Sequence, residues 1–170
     1  MAEDLTSTAR AEAQPLSDTD NVDDMYLTFA LGPEEYGVGI GRVTEIVGMQ
    51  RIMGVPDVPA WIKGVINLRG KVIPLLDVRL RFGMPERLYD ERTVIIVLDV
   101  ADAPVGLIVD GVSEVLDILP SQIDRPGQFG RGSKSPVMGL ARVGERVTIL
   151  LDAEVLVGDD DLAIPADMVA

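Results

Sequence analysis

The side chains that most enzymes rely on are missing from this chain or scattered along it. The chain has neither histidine nor cysteine, which removes the commonest general base, the commonest metal ligand, the thiol nucleophile and any disulfide. Carboxylates remain. The apolar-flanked ones, Asp77, Asp99, Asp110 and Asp152, sit at expected strand ends or in turns, and nothing in their spacing makes two of them converge as a paired-carboxylate hydrolase requires. Asp77 and Asp152 each end an apolar run and precede a short helical pattern, the place where an aspartate caps the first free N–H groups of a helix. Ser133-Lys134-Ser135 offers a serine beside a lysine, but within a Gly-rich stretch, 127–136, that reads as a flexible connection. Gly37, Gly39 and Gly41 recur at every second position inside a strand pattern. They lack the spacing and the following helix of a phosphate-cradling loop and read as a kinked strand. One side chain stands out: Arg69, at the tip of an expected hairpin, where a guanidinium can fork onto a carboxylate of this chain or of another protein.

The elements that must carry these residues are mostly strands. Tyr26–Leu31 alternates and turns through Gly32–Glu35 into Tyr36–Ile40. Hairpin signals join Gly64–Asn67 to Lys71–Leu76, Thr93–Val100 to Val105–Val109, and Val137–Val143 to Arg146–Leu151, each punctuated by Gly, Pro or Asp. Short helical turns are expected at Pro59–Lys63, Asp77–Phe82 and Asp152–Val157. Aromatics are only 4% of the chain, so Val, Ile and Leu must do the packing, and the β-branched members favour a pleated surface.

An internal repeat organises these strands. Tyr36–Val47 lies over Val105–Leu116, matching Gly37 with Gly106, Val43 with Val112 and Glu45 with Glu114; Lys71–Asp77 lies over Arg146–Asp152. A period near seventy is too long for a solenoid and fits two copies of a small β-unit the size of a five-stranded barrel. Closure into barrels would also remove exposed edges. Gly37 and Gly106 then mark a bulge or a close backbone approach. Val43 and Val112 fall at equivalent places, as buried core valines or as the lining of a groove shared by the two units and suited to a partner helix. The expected division is an acidic disordered arm at 1–24, a body at 25–157 with lobes of about 25–88 and 89–157, and an acidic tail at 158–170.

Charge narrows the partners. The formal charge is −13, but residues 1–24 hold seven acids against Arg10, and 158–170 hold four acids and no base, leaving −3 for the body. No cluster of Lys and Arg is present to neutralise phosphates, which opposes a nucleic-acid partner, including an Sm-like or SH3-like binder. The acidic N-terminus lacks a signal-peptide h-region, and apolar runs such as Val94–Leu98 stop at five residues, far short of a membrane span. The expected location is cytoplasmic, without membrane insertion.

Ile62–Asp77 (IKGVINLRGKVIPLLD), preceded by Glu35–Val38 and followed by Val109–Val115 (VDGVSEV), resembles the linked motifs of the CheW family of chemotaxis coupling proteins, over about 25–157. The resemblance implies two SH3-like five-stranded β-barrels packed together with short helices, no catalytic activity and no cofactor. It implies a non-enzymatic adaptor that joins the cytoplasmic tips of methyl-accepting chemotaxis receptors to the C-terminal regulatory domain of the histidine kinase CheA, recruited to receptor arrays. It places receptor contacts at Val43, Glu45, Arg69, Val112 and Val115, and kinase contacts on exposed apolar strand ends not assigned to residues. The long acidic arm and the 127–136 segment depart from the family's minimal body. A CheW-like adaptor of another chemosensory pathway, serving surface motility or pilus control, is the alternative; a small carboxylate-dependent enzyme is the rival from another class.

Overall fold

The computed structural model describes residues 22–125 and 135–158. The strands are β1 (Met25–Leu31), β2 (Glu34–Gly39), β3 (Val43–Gly48), β4 (Ile62–Leu68), β5 (Lys71–Asp77), β6 (Val94–Val100), β7 (Ala103–Val109), β8 (Gly111–Asp117), β9 (Ile123–Asp124), β10 (Val137–Val143) and β11 (Arg146–Leu151). Two short helices, α1 (Val78–Arg81) and α2 (Ala153–Val157), follow β5 and β11. Among the described residues there are also 3-10 turns at Val22–Asp24, Ile40–Arg42 and Pro120–Gln122.

The strands form two sheets, in the orders β3-β6-β7-β5-β4 and β8-β1-β2-β11-β10-β9. These orders match strand for strand under the repeat: β3 with β8, β6 with β1, β7 with β2, β5 with β11 and β4 with β10. The two sheets do not follow the expected lobes at 25–88 and 89–157. Each repeat instead sends its first hairpin into one sheet and its remaining strands, three from the first repeat and four from the second, into the other. The join is a parallel pairing, Leu150 opposite Gly37 and Leu75 opposite Gly106. A Cβ on Gly106 would lie 2.6 Å from the Leu75 side chain, and one on Gly37 3.2 Å from that of Leu150. Both glycines therefore mark close approach, and neither stands at a register shift.

Exchange of hairpins produces three cores. Ile66, Leu68, Ile73, Leu75, Ile95, Val97 and Ile108 fill the first sheet, with Val47 of β3 packed against them. All five strands thus surround one core, as a barrel does. Tyr26, Ile118, Ile123, Ala141 and Leu150 fill the second. The largest cluster lies between the sheets, where Leu27, Phe29, Leu31 and Val38 of β1–β2 join Ile96, Leu98, Val100 and Leu107 of β6–β7, with Leu156 and Val157 of α2. Alternate residues of β6 therefore enter different cores, so the strand reads as an unbroken apolar run.

Each helix starts on its aspartate. Asp77 accepts from Leu80 N at 3.2 Å, and Asp152 from Glu154 N at 3.0 Å and Val155 N at 3.4 Å. Asp77 is only 2% exposed and its second oxygen accepts the Tyr89 hydroxyl at 2.7 Å. Burial and the Asp77 carboxylate both push the Tyr89 hydroxyl pKa up. The helical turn expected at Pro59–Lys63 is not formed: one bond, Ile62 N to Pro59 O, closes a turn and Ile62-Lys63 already belong to β4. Ile40 leaves β2 for a 3-10 turn, so Gly39 ends that strand and Gly41 lies in the turn, instead of kinking one strand. Asp24, assigned to the arm, is tied to the body through its carbonyl, which accepts from Ile118 N at 2.7 Å. Residues 1–21, most of the 127–136 connection and 159–170 lie outside the described residues.

The register shifts occur elsewhere and also repeat. One falls between Ile62 and Gly64 and its counterpart between Val137 and Gly139. Beside them the chain crosses β4 at Met53, whose N–H and C=O pair with Val65, and crosses β10 at β9. A Cβ on Gly64 would stand 2.1 Å from the Met53 carbonyl oxygen, at φ +142°. Gly64→Ala should therefore cost more than about 2 kcal/mol, since positive-φ strain alone is worth about 1–3 kcal/mol. Gly70→Ala, at φ +88° but in open space, should cost only the strain; urea unfolding of both variants checks the order.

Candidate interaction site

The β4–β5 turn is Leu68-Arg69-Gly70-Lys71, with Leu68 paired to Lys71. Gly70 N donates to Asn67 Oδ1 at 2.9 Å, and both central residues take positive φ, 53° at Arg69 and 88° at Gly70. A left-handed arginine is unfavourable without a local reason. The reason is visible in the side chain: Arg69 Nη2 donates to Glu45 Oε2 on β3. Since β3 and β4 are the two edges of the first sheet, this pair bridges its ends at the barrel mouth. Thr44, Leu68, Lys71, Ile73, Asp99 and Pro104 surround a pocket beside it. The partner that the sequence left open for Arg69 is therefore in this chain.

The second barrel solves the same problem with another arginine. Glu114 on β8, the counterpart of Glu45, receives Arg146 Nη1 at 2.8 Å. Nη2 of Arg146 reaches both carboxylate oxygens of Glu35 at 2.8 Å. Burial would raise the Glu35 pKa, but the Arg146 contacts outweigh it and hold the carboxyl below its usual range. Glu35 and Arg146 were not singled out by sequence reasoning. The repeat sets Arg146 over Lys71, and that shared positive charge at the start of matched strands is the signal for it.

The remaining expected residues are placed less uniformly. Val43 opens β3 opposite Leu98 and packs, half-buried, against the core between the sheets. Val112 and Val115 on β8 lie opposite Phe29 and Leu27 and are 39% and 50% exposed. Their strand is exposed from Val112 through Glu114 as well as at Val115. Ile46, next to Glu45, is also exposed and was not anticipated. Glu45 and Arg69 come together directly; β3 and β8, edge strands of different sheets, share no ladder.

Two of the carboxylates weighed for chemistry, Asp77 and Asp110, do lie near one another, but their valences are used. Asp110 accepts from Arg79 Nε at 2.9 Å and Nη2 at 2.8 Å, from Gly32 N at 2.7 Å, and pairs with Arg87 Nη1 at 2.9 Å. The cavity they border measures about 10 Å³, room for one water at most. Among the described residues no group of three or more acids is placed to hold a metal, and no helix is long and apolar enough to cross a membrane.

Two packed β-barrels with occupied carboxylates and exposed edge strands define a module that works by association. Residues 25–169 match the model of the CheW-like domain, and the chain belongs to that family of chemotaxis scaffold proteins, which are adaptors and not enzymes. It is 40% identical over 146 residues to chemotaxis protein CheW of Klebsiella aerogenes, covering 85% of this chain and 88% of that one. To chemotaxis protein CheW of Bacillus subtilis it is 31% identical over 128 residues, 75% and 82% of the two chains. The crystal structure of the scaffolding protein TtCheW from Thermoanaerobacter tengcongensis superposes with a TM-score of 0.74 at 32% identity, over 82% of this chain and 95% of that one. The fold is thus the two-barrel, SH3-like arrangement that the resemblance implied.

Asp110 provides a pH test of the junction. Burial raises its pKa, but Arg79, the Gly32 amide and Arg87 outweigh burial and leave it lowered. A lowered folded pKa contributes stability above the unfolded value, about 4, and loses it as pH falls through the folded one. Asp110→Asn leaves two guanidinium groups short of their carboxylate and should cost about 3 kcal/mol at pH 7. The gap from the parent protein should close as pH falls below 4. Unfolding at pH 7 and at acid pH measures it.

Proposed function

We propose that this chain couples methyl-accepting chemotaxis receptors to the histidine kinase CheA, in the cytoplasm, within membrane-associated receptor arrays. The observation that carries the reading is the Arg69–Glu45 pair. An exposed arginine is held in a left-handed turn, by a contact that leaves most of its guanidinium facing solvent, at the mouth of one barrel. Surface ion pairs of this kind contribute only about 0–1 kcal/mol to stability, so the fold alone gives weak reason for an arginine there. The receptor's helical tip is assigned to Val43, Glu45, Arg69, Val112 and Val115, with the valines supplying apolar contact and the ion pair setting orientation. The regulatory domain of the kinase is assigned to apolar residues exposed elsewhere on the barrels, among which Met53 and Val147 are half-exposed. The adaptor acts by association: it shifts the kinase between states by binding them, and the receptor tip, with different affinity.

Arg69→Gly separates function from fold, because glycine accepts the turn's φ without strain. It should leave the melting midpoint within about 0.5 kcal/mol of the parent in stability. It should weaken binding of a receptor cytoplasmic fragment by about 2 kcal/mol or more, roughly thirtyfold, and leave affinity for the kinase regulatory domain unchanged. Calorimetric titration of both partners on this one variant decides it. Unaltered receptor affinity would remove Arg69 from the site.

A further inference from the structure

The two sequence repeats do not coincide with the two barrels, and this has a consequence for association of the chain with itself. Repeat one supplies β1–β2 to the second sheet and β3–β5 to the first; repeat two supplies β6–β7 to the first and β8–β11 to the second. Neither barrel is complete without strands of both repeats. The core between the sheets is also drawn from both, Phe29 and Leu31 from one, Leu98 and Leu107 from the other. One covalent strand joins them, residues 82–93, which carries no helix or strand beyond the end of α1.

We propose that each repeat is an exchangeable half, and that a second copy of this chain can supply the missing half, so that two chains close into one dimer of four barrels. Every ladder and every core between the repeats can form between chains as within one, and so can the Asp110 contacts to Arg79 and Gly32, which come from repeat one. Only the connecting strand must change path. Exchange of identical elements is the cheapest route to a dimer for this reason.

The connection is held on both sides of one exposed residue, Leu88. Glu86 pairs with Lys63 at 2.8 Å, Arg87 with Asp110, and the Tyr89 hydroxyl with Asp77. Leu88 between them is 91% exposed. These contacts favour closure within one chain, where the second half is always at high effective concentration. Refolding at high protein concentration removes that advantage.

The test uses the full chain with a specific protease site inserted at Leu88. Cut in the folded state, the protein should keep its mass and its circular dichroism, its two fragments separating only on unfolding. Refolded from denaturant at the highest attainable concentration, the uncut protein should yield a species of twice the mass with native circular dichroism. Refolded dilute, it should not. Cleavage of that dimer should return it to half the mass without loss of structure, since each pair of halves is then independent. Fragments that part under native conditions, each still folded, would overturn the proposal. So would the absence of any dimer, or a dimer that survives cleavage, which would be a surface contact. None of these readouts involves a receptor or kinase, so the result stands apart from the coupling function.

Discussion

The structure depends on the parallel contact between a hairpin of one repeat and a strand of the other, made twice. At each join a leucine fills the space that a glycine leaves open: Leu150 over Gly37, and Leu75 over Gly106. Parallel pairing needs a long crossover, and here the crossover is most of a repeat. A Cβ at Gly106 would collide with its leucine at 2.6 Å, and one at Gly37 would press on Leu150 at 3.2 Å. At Gly106 it would also meet Ile95, at 2.8 Å, so both side chains would have to move for the join to form. The three apolar cores follow from this pair of joins, because the hairpin faces left over by one sheet can be buried only against those of the other.

The same arrangement explains where the charges are spent. Asp110 lies between β7 and β8, where the chain leaves one sheet for the other. It gathers the β1–β2 turn through Gly32 and helix α1 through Arg79. Arg81, stacked on Trp61, donates to the carbonyl of Leu156 at 3.0 Å and so ties α1 to the end of α2. Carboxylates and arginines placed at a crossing satisfy backbone groups that the exchange leaves without ladder partners. Asp77, Asp110 and Asp152, acids that looked available for chemistry in the sequence, are occupied structurally.

Much of this was legible in the sequence because it follows from local rules. The hairpins that lead into Lys71, Val105 and Arg146, the capping role of Asp77 and Asp152, and the doubling of one β-unit were readable from turns, periodicity and self-similarity. The exchange was not, since a repeat shows which segments are alike and carries no information on which of them pair. A barrel of strands from one repeat and a barrel of strands from both have the same pattern. β3 and β8 escaped notice as strands for a physical reason: as edge strands they are half-exposed, mix Glu and Ser with Val, and carry register shifts that break alternation. The Pro59–Lys63 turn failed because Pro56 and Pro59 punctuate a loop whose course is set by the Met53–Val65 bridge, a long-range contact.

Duplication also explains how the two barrel mouths come to differ. In the second barrel Arg146 is held by two carboxylates, Glu35 and Glu114, and has few donors left for anything else. In the first barrel the counterpart of Glu35 is Pro104, the counterpart of Arg146 is Lys71, and the arginine has moved to the turn. There it meets a single carboxylate and stays two-thirds exposed. Arginine's five donors in a rigid fork are only partly used by one glutamate. A fully engaged triad closes one mouth, while the same charges rearranged on the other leave an oriented guanidinium beside an open pocket. Two copies of one unit can diverge in this way because the shared core carries the stability of both, which frees a single turn to change its chemistry without risk to the fold.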